Sequence, residues 1–150
     1  MPMSLFQVYA HLTFRTRDRI RWLEDSVRER VHGYLAATGR DMGAPFVVVG
    51  GPDDHVHMLL LLPKQKPPVD LVAHVKRESS KFVKTLGRGF GDFAWQRGYG
   101  MFSVGPSHIG AVESYIRGQE EHHRRVSFQD EFRAFLKKYD VAYDERYVWD

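Results

Sequence analysis

In the stretch Asp53-Asp54-His55-Val56-His57, two histidines stand one apolar residue apart at the head of a run, Met58-Leu59-Leu60-Leu61-Leu62-Pro63, that reads as a buried strand. Strand side chains alternate between faces, so His55 and His57 project together while Val56 enters the other side. Two imidazoles on one face can share a metal ion. Such a pair is also readily buried for structural reasons alone. Two histidines do not hold a catalytic metal firmly, so a third protein ligand is expected, with the other positions open to water or substrate.

A helical stretch further on offers that ligand. Tyr115 and Gln119 are four residues apart and therefore share one face of a helix. Glu120, Glu121, His122 and His123 follow, and His122 continues the same stripe. A phenol beside a metal site is a candidate covalent nucleophile. With an ordinary pKa of about 10 it needs a nearby cation to favour the phenolate. A metal held by His55, His57 and an amide oxygen would also polarise a phosphate and orient it for in-line attack. Gly118, between Tyr115 and Gln119, costs a helix about 1 kcal/mol relative to alanine. It either loosens the helix beneath the tyrosine or permits close packing. A tyrosine on an amphipathic helix is ordinarily core or surface, so the combination carries the reading and not the single residue.

Those residues must be positioned by one domain of 150 residues, spanning 1–150, which is long enough to bury a core of its own. The absence of cysteine excludes disulfides and thiolate metal sites and fits a reducing cytoplasm. No apolar run has the length of a membrane span, and the N-terminus lacks the layout of a signal peptide, so a cytoplasmic protein with no membrane partner is expected. The net charge of +3 is unevenly spread. From Lys64 to Arg88 seven Lys/Arg face two acids, whereas from Gln129 to Asp150 four Lys/Arg face six acids. A basic block inside a nearly balanced chain points to a polyanion on one face, against the alternative of a solvated helix surface.

Residues 4–15 alternate, with Phe6, Val8, Ala10, Leu12 and Phe14 on one side, and predict a half-buried strand. A helix is expected over about Leu23 to Thr38, with Val27, Val31, Tyr34 and Leu35 inward and Gly39 as its stop. Phe46-Val47-Val48-Val49 is a short strand that Gly50-Gly51-Pro52 turns back into the histidine strand as a hairpin. After the Lys64–Pro68 loop, a second helix over about Asp70 to Leu86 buries Val72, Val75, Ser79, Phe82, Val83 and Leu86, and Arg77, Lys81, Lys84 and Arg88 line its outer side. A glycine-spaced strand is expected from Phe93 to Val104. Pro106-Ser107 then opens a third helix with Ser107 as N-cap, and a fourth spans about Phe128 to Tyr139 before an aromatic tail. This order predicts an α+β fold of ferredoxin-like, split βαβ type. Its sheet is antiparallel, its helices lie mainly on one face, and a C-terminal helix and tail follow.

Three segments together resemble the single-tyrosine HUH transposases of short insertion sequences and their relatives associated with repetitive extragenic palindromes. They are Asp54-His55-Val56-His57, Trp95-Gln96-Arg97-Gly98-Tyr99-Gly100, and Tyr115-Ile116-Arg117-Gly118-Gln119-Glu120-Glu121-His122-His123-Arg124. The closing segment from Phe132 to Trp149, notably Tyr143-Asp144-Glu145-Arg146-Tyr147, is similar too, so the resemblance covers almost the whole chain.

The resemblance implies that His55 and His57 bind Mg²⁺ or Mn²⁺ and that Gln119, one turn after the tyrosine, completes the metal site. It implies that Tyr115 attacks a DNA phosphodiester, becomes joined to the 5′ phosphate and leaves a free 3′ hydroxyl. The implied substrate is single-stranded DNA bearing imperfect hairpins. The family includes homodimers that complete each site in trans as well as monomers, and both remain open here. A polyanionic partner gives the basic face a role: Lys76, Arg77, Lys81, Lys84 and Arg88 would follow phosphates, and Arg97 near Trp95 and Tyr99 would pair charge with base stacking. Two rival readings use the same residues. One is a zinc hydrolase built on His55, His57 and His122 or His123 with Glu120 or Glu121 as base. The other is a non-catalytic DNA-binding relative.

Overall fold

The computed structural model describes residues 3–119, 126–146 and 148–149. Its four strands are β1 (Tyr9–Arg15), β2 (Val47–Gly50), β3 (His55–Leu61) and β4 (Gly100–Val104). They form one antiparallel sheet in the order β2-β3-β1-β4. The described helices are α1 (Asp25–Asp41), α2 (Pro68–Lys84), α3 (Ile109–Arg117) and α4 (Phe128–Lys138). This is the expected α+β arrangement, with the histidine strand in the interior of the sheet.

Alternation along β1 and β3 gives the sheet two chemically different faces. Leu12, Phe14, Val56, Met58 and Leu60 project to one side, where Val31 and Leu35 of α1 and Leu71, Val72, Val75 and Val83 of α2 cover them in the main core. His11, Thr13, His57 and Leu59 project to the other side. There α3 packs on Leu59 through Ile116, and α4 packs on Phe102 through Phe128, Phe132 and Leu136. The two helices of the split βαβ unit thus share one face as expected, while α3 and α4 close the second. That second cover turns the His55–His57 face into an interior.

Several boundaries move for local reasons. β1 begins at Tyr9 and not at residue 4, because β3 and β4 supply no ladder partner further back. Before it, the Val8 carbonyl still accepts from Leu62 N–H at 2.9 Å, while Leu5 and Phe6 are exposed. Helix α1 runs through Gly39, which is buried against Val47, and stops near Gly43, whose φ of 90° is left-handed. The expected strand from Phe93 shortens to Gly100–Val104. Trp95 instead makes an isolated bridge to Thr16 and packs edge-on against Phe14 with ring centroids 4.7 Å apart. Ser107 is no cap: it lies in a 3₁₀ turn, Pro106–His108, that feeds α3. Ser127 does cap α4, its Oγ accepting from Asp130 N–H at 3.2 Å.

Candidate metal centre and nucleophile

The site forms where the polar residues of the second sheet face meet α3 and α4. His55 and His57 lead β3, and both are wholly buried. Register places His57 opposite Thr13 and His55 opposite Arg15. From α4, Glu131 enters the same space. It is 4 % exposed and sits on the helix's apolar stripe between Phe128, Phe132 and Leu136. Its Oε1 lies 3.0 Å from His57 Nε2 and 3.6 Å from His55 Nε2. Asp54 Oδ1 holds the other nitrogen of His55, Nδ1, at 2.7 Å. Burial opposes protonation of His55, but the Asp54 and Glu131 carboxylates outweigh it and raise its pKa above the ordinary histidine value.

His57 is held from the neighbouring strand, its Nδ1 lying 2.8 Å from Nε2 of the buried His11. Burial first, then the neighbouring His57 and Lys138, depress His11 to about 3 against an opposing pull from Glu131, so it is neutral near pH 7.

Tyr115 reaches the group from α3. Its hydroxyl donates to Glu131 Oε2, and its ring meets that of His57 edge-on at 5.8 Å. Burial, then the charge of Glu131 and this hydrogen bond, hold the phenol above its ordinary pKa, with a hydrogen bond to Gln119 opposing the shift. α3 ends at Arg117 and Gly118 is its C-cap, so Gln119 lies past the end of the helix that carries Tyr115. Gln119 is nevertheless buried beside the site and donates from Nε2 to Glu131 Oε2 at 3.3 Å. Its Oε1 is buried and has no hydrogen-bond partner among the described residues.

This donor set suits a divalent cation. One nitrogen from each histidine and one Glu131 oxygen lie within 4.8 Å of one another. Among the described residues, no donor meets the buried amide oxygen of Gln119. Two imidazoles, a carboxylate and a neutral oxygen are ligands for first-row divalent ions, and the mixed nitrogen and oxygen set suits Mn²⁺ at least as well as Mg²⁺.

The model of the family "Transposase IS200 like" matches residues 4–119, which include the whole sheet, His55, His57, Tyr115 and Gln119. The chain belongs to the IS200-like transposase family. Membership places it among DNA-cleaving transposases. Solved structures that share its fold include these two. One is a protein from Deinococcus radiodurans R1 assigned as a transposase, with 22 % identity and a TM-score of 0.60 over 80 % of this chain and 96 % of the other. The other is a REP-associated tyrosine transposase bound to a REP hairpin, with 13 % identity and a TM-score of 0.59 over 96 % of this chain and 90 % of the other. No curated protein sequence matches the chain. Among the described residues, no helix is long and apolar enough to cross a membrane.

The remaining expected residues of this transposase fall into separate places. Arg77, Lys81 and Lys84 follow the outer side of α2, so they lie across the sheet from Tyr115 and the histidines, whereas Arg88 falls in the turn beyond the helix end at Lys84 and not on the expected stripe. Arg77 and Lys81 share Glu78, at 3.5 and 3.7 Å. Lys76 is spent inside the protein: its Nζ donates to the carbonyls of Gln96, Arg97 and Gly98 at 2.6, 3.1 and 2.9 Å, which anchors the loop before β4. Arg97, on that loop, is exposed and borders a crevice of about 440 Å³ shared with Arg15, Arg17 and Trp149. Glu120, Glu121, His122, His123, Arg124 and Tyr147 lie outside the described residues.

Sequence reasoning missed Glu131 and His11. The signal for Glu131 was there: it is the one acid within the apolar stripe Phe128, Phe132, Phe135 and Leu136, and a charge at such a position is seldom buried without a partner. His11 had a weaker signal, because it falls on the polar side of an alternating strand, where exposure is the ordinary outcome.

Proposed function

We propose that this transposase is a metal-dependent strand transferase that cleaves and rejoins hairpin-bearing single-stranded DNA through Tyr115. The observation that carries the reading is the shared carboxylate. Glu131 turns one oxygen to the two imidazoles and accepts the Tyr115 hydroxyl with the other, so nucleophile and metal ligands form one unit. Hairpin DNA as substrate accords with the REP hairpin held by the structural relative.

Mg²⁺ or Mn²⁺ at His55, His57, Glu131 and Gln119 would supply polarisation of the phosphate oxygens and an electrostatic preference for phenolate. The chain's own residues account for the rest. Tyr115 Oη attacks phosphorus, and its proton passes to Glu131 Oε2, which already accepts it as a hydrogen bond. The bond from phosphorus to the 3′ oxygen breaks, and that oxygen leaves as a hydroxyl after taking a proton from water. The new phosphotyrosine ester keeps the energy of the broken linkage, so the 3′ hydroxyl of another strand can displace Tyr115 without ATP.

The test is a denaturing gel after incubation of labelled hairpin-bearing single strands with Mg²⁺ or Mn²⁺. A covalent protein–DNA band is expected for the wild type and none for Tyr115→Phe or His57→Ala. A broad panel of strands, including the gene's own flanking repeats, that yields no adduct would sink the proposal. A second reading has one observation in its favour: two histidines and a carboxylate are also a zinc set. Tightly bound zinc together with hydrolysis unaffected by Tyr115→Phe would establish that reading instead.

A further inference from the structure

We propose that His11 is a positioning residue for His57, holding its Nδ1 from the adjacent strand so that Nε2 stays aimed at Glu131 and any cation bound there. The inference rests on the metal-dependent reading above and names a residue that reading did not require.

The two histidines of β3 need different supports. His55 has an acid beside it in the chain, and Asp54 Oδ1 takes its Nδ1 at 2.7 Å. His57 is flanked by Val56 and Met58, so no sequence neighbour can do this. The support comes across the sheet. β1 pairs His11 with Leu59, two residues beyond His57 on the same face, so His11 and His57 form a diagonal cross-strand pair. The ring centroids are 5.0 Å apart and the nitrogens 2.8 Å. His11 also meets the rings of Tyr115 at 6.3 Å and Phe135 at 5.3 Å edge-on, so its plane is fixed by packing from both covering helices.

Chemistry sets the direction of the bond. With a cation on Nε2, His57 keeps its proton on Nδ1 and must donate it, and a neutral His11 accepts at Nε2. With no cation, His57 Nε2–H can instead point to Glu131, and His11 can donate in return by changing tautomer. Imidazole serves both states because each nitrogen can either donate or accept. A leucine of similar size at position 11 would fill the volume and do neither. His55 therefore has a carboxylate behind it and His57 a neutral imidazole, which limits the negative charge gathered around the cation.

Two measurements test this on the full chain. In ¹⁵N-labelled, metal-free wild type, a scalar coupling across the hydrogen bond between His11 Nε2 and His57 Nδ1 is expected; its absence overturns the proposal without any variant. Mn²⁺ titration followed by electron paramagnetic resonance is expected to show roughly 10- to 100-fold weaker binding for His11→Leu. His11→Gln, which can accept at the same place, should recover most of that loss. Undiminished Mn²⁺ affinity in a folded His11→Leu protein overturns the positioning role. A wild type that shows the coupling but binds no Mn²⁺ upholds the His11–His57 bond and overturns the metal reading, so the two failures are distinguishable.

Discussion

Glu131 accepts the hydroxyl of Tyr115 on one oxygen while the other faces His57 Nε2 at 3.0 Å. A side chain from α4, 16 residues after the tyrosine, thus ties Tyr115 of α3 to the histidine pair of β3. Glu131→Gln keeps the shape but removes the charge and the proton acceptor. Adduct formation is expected to fall by about 10²- to 10⁴-fold, the usual size of a lost acid–base contribution. In the same variant the Tyr115 phenol should ionise at lower pH than in the wild type, read by NMR of ring-labelled tyrosine. An unchanged titration would show that the carboxylate does not control the phenol.

The α2 surface is separated from the chemistry by the sheet, so its basic residues should affect binding and not bond cleavage. For single strands each lost phosphate contact lowers the salt slope of log affinity by about 0.7. Lys81→Ala with Lys84→Ala should therefore lower it by about 1.4, with adduct formation at saturating DNA unchanged. Lys76→Met should behave differently, because its ammonium holds three carbonyls of the loop before β4. A stability loss of about 1–3 kcal/mol is expected from chemical denaturation. Equal stability losses for Lys76→Met and Lys84→Met would count against the anchor.

Gly50 ends β2 beneath the last turn of α3, where a Cβ would run into the carbonyl of Ile116, the residue after Tyr115. Gly50→Ala must push α3 away from the sheet, since a backbone oxygen cannot swing aside. A loss of about 1–3 kcal/mol is expected, as for other overpacked sites. Adduct formation should fall as well because Tyr115 moves with its helix. Wild-type rates in Gly50→Ala would mean that the position of α3 is not critical.

His32 on α1 sets an acid limit to stability. Burial, with a smaller contribution from Arg28, depresses it to about 4 against an unfolded value of 6.5. The unfolded chain therefore binds more protons between these values, so stability is present above pH 6.5 and is lost as pH falls towards 4. His32→Gln should flatten this part of the stability profile in urea titrations, leaving the share due to His11, which is depressed in the same direction. A profile with the wild-type slope in His32→Gln would remove His32 from the account.

Much of this site was legible from local pattern. Strand alternation put His55 and His57 on one face, and helical spacing marked Tyr115 and Gln119, because both periodicities are properties of short segments. Gln119 came to the site by another route than expected, from beyond the end of α3. The basic stripe was legible as a stripe but not as lying across the sheet from Tyr115, since no local pattern says which face a helix will cover.

The sequence by itself determined the elements, the antiparallel α+β arrangement, the histidine pair and the tyrosine, for these follow from neighbours within a few residues. Only the tertiary structure decided that Glu131 is the carboxylate between them, that His11 stands behind His57, and that Lys76 is bound by loop carbonyls. Each of these depends on contacts between residues 12 to 76 positions apart, from Gln119 and Glu131 to Glu131 and His55. Strand register and helix packing settle such contacts, and both are set by burial over the whole chain and not by the residues nearest the site.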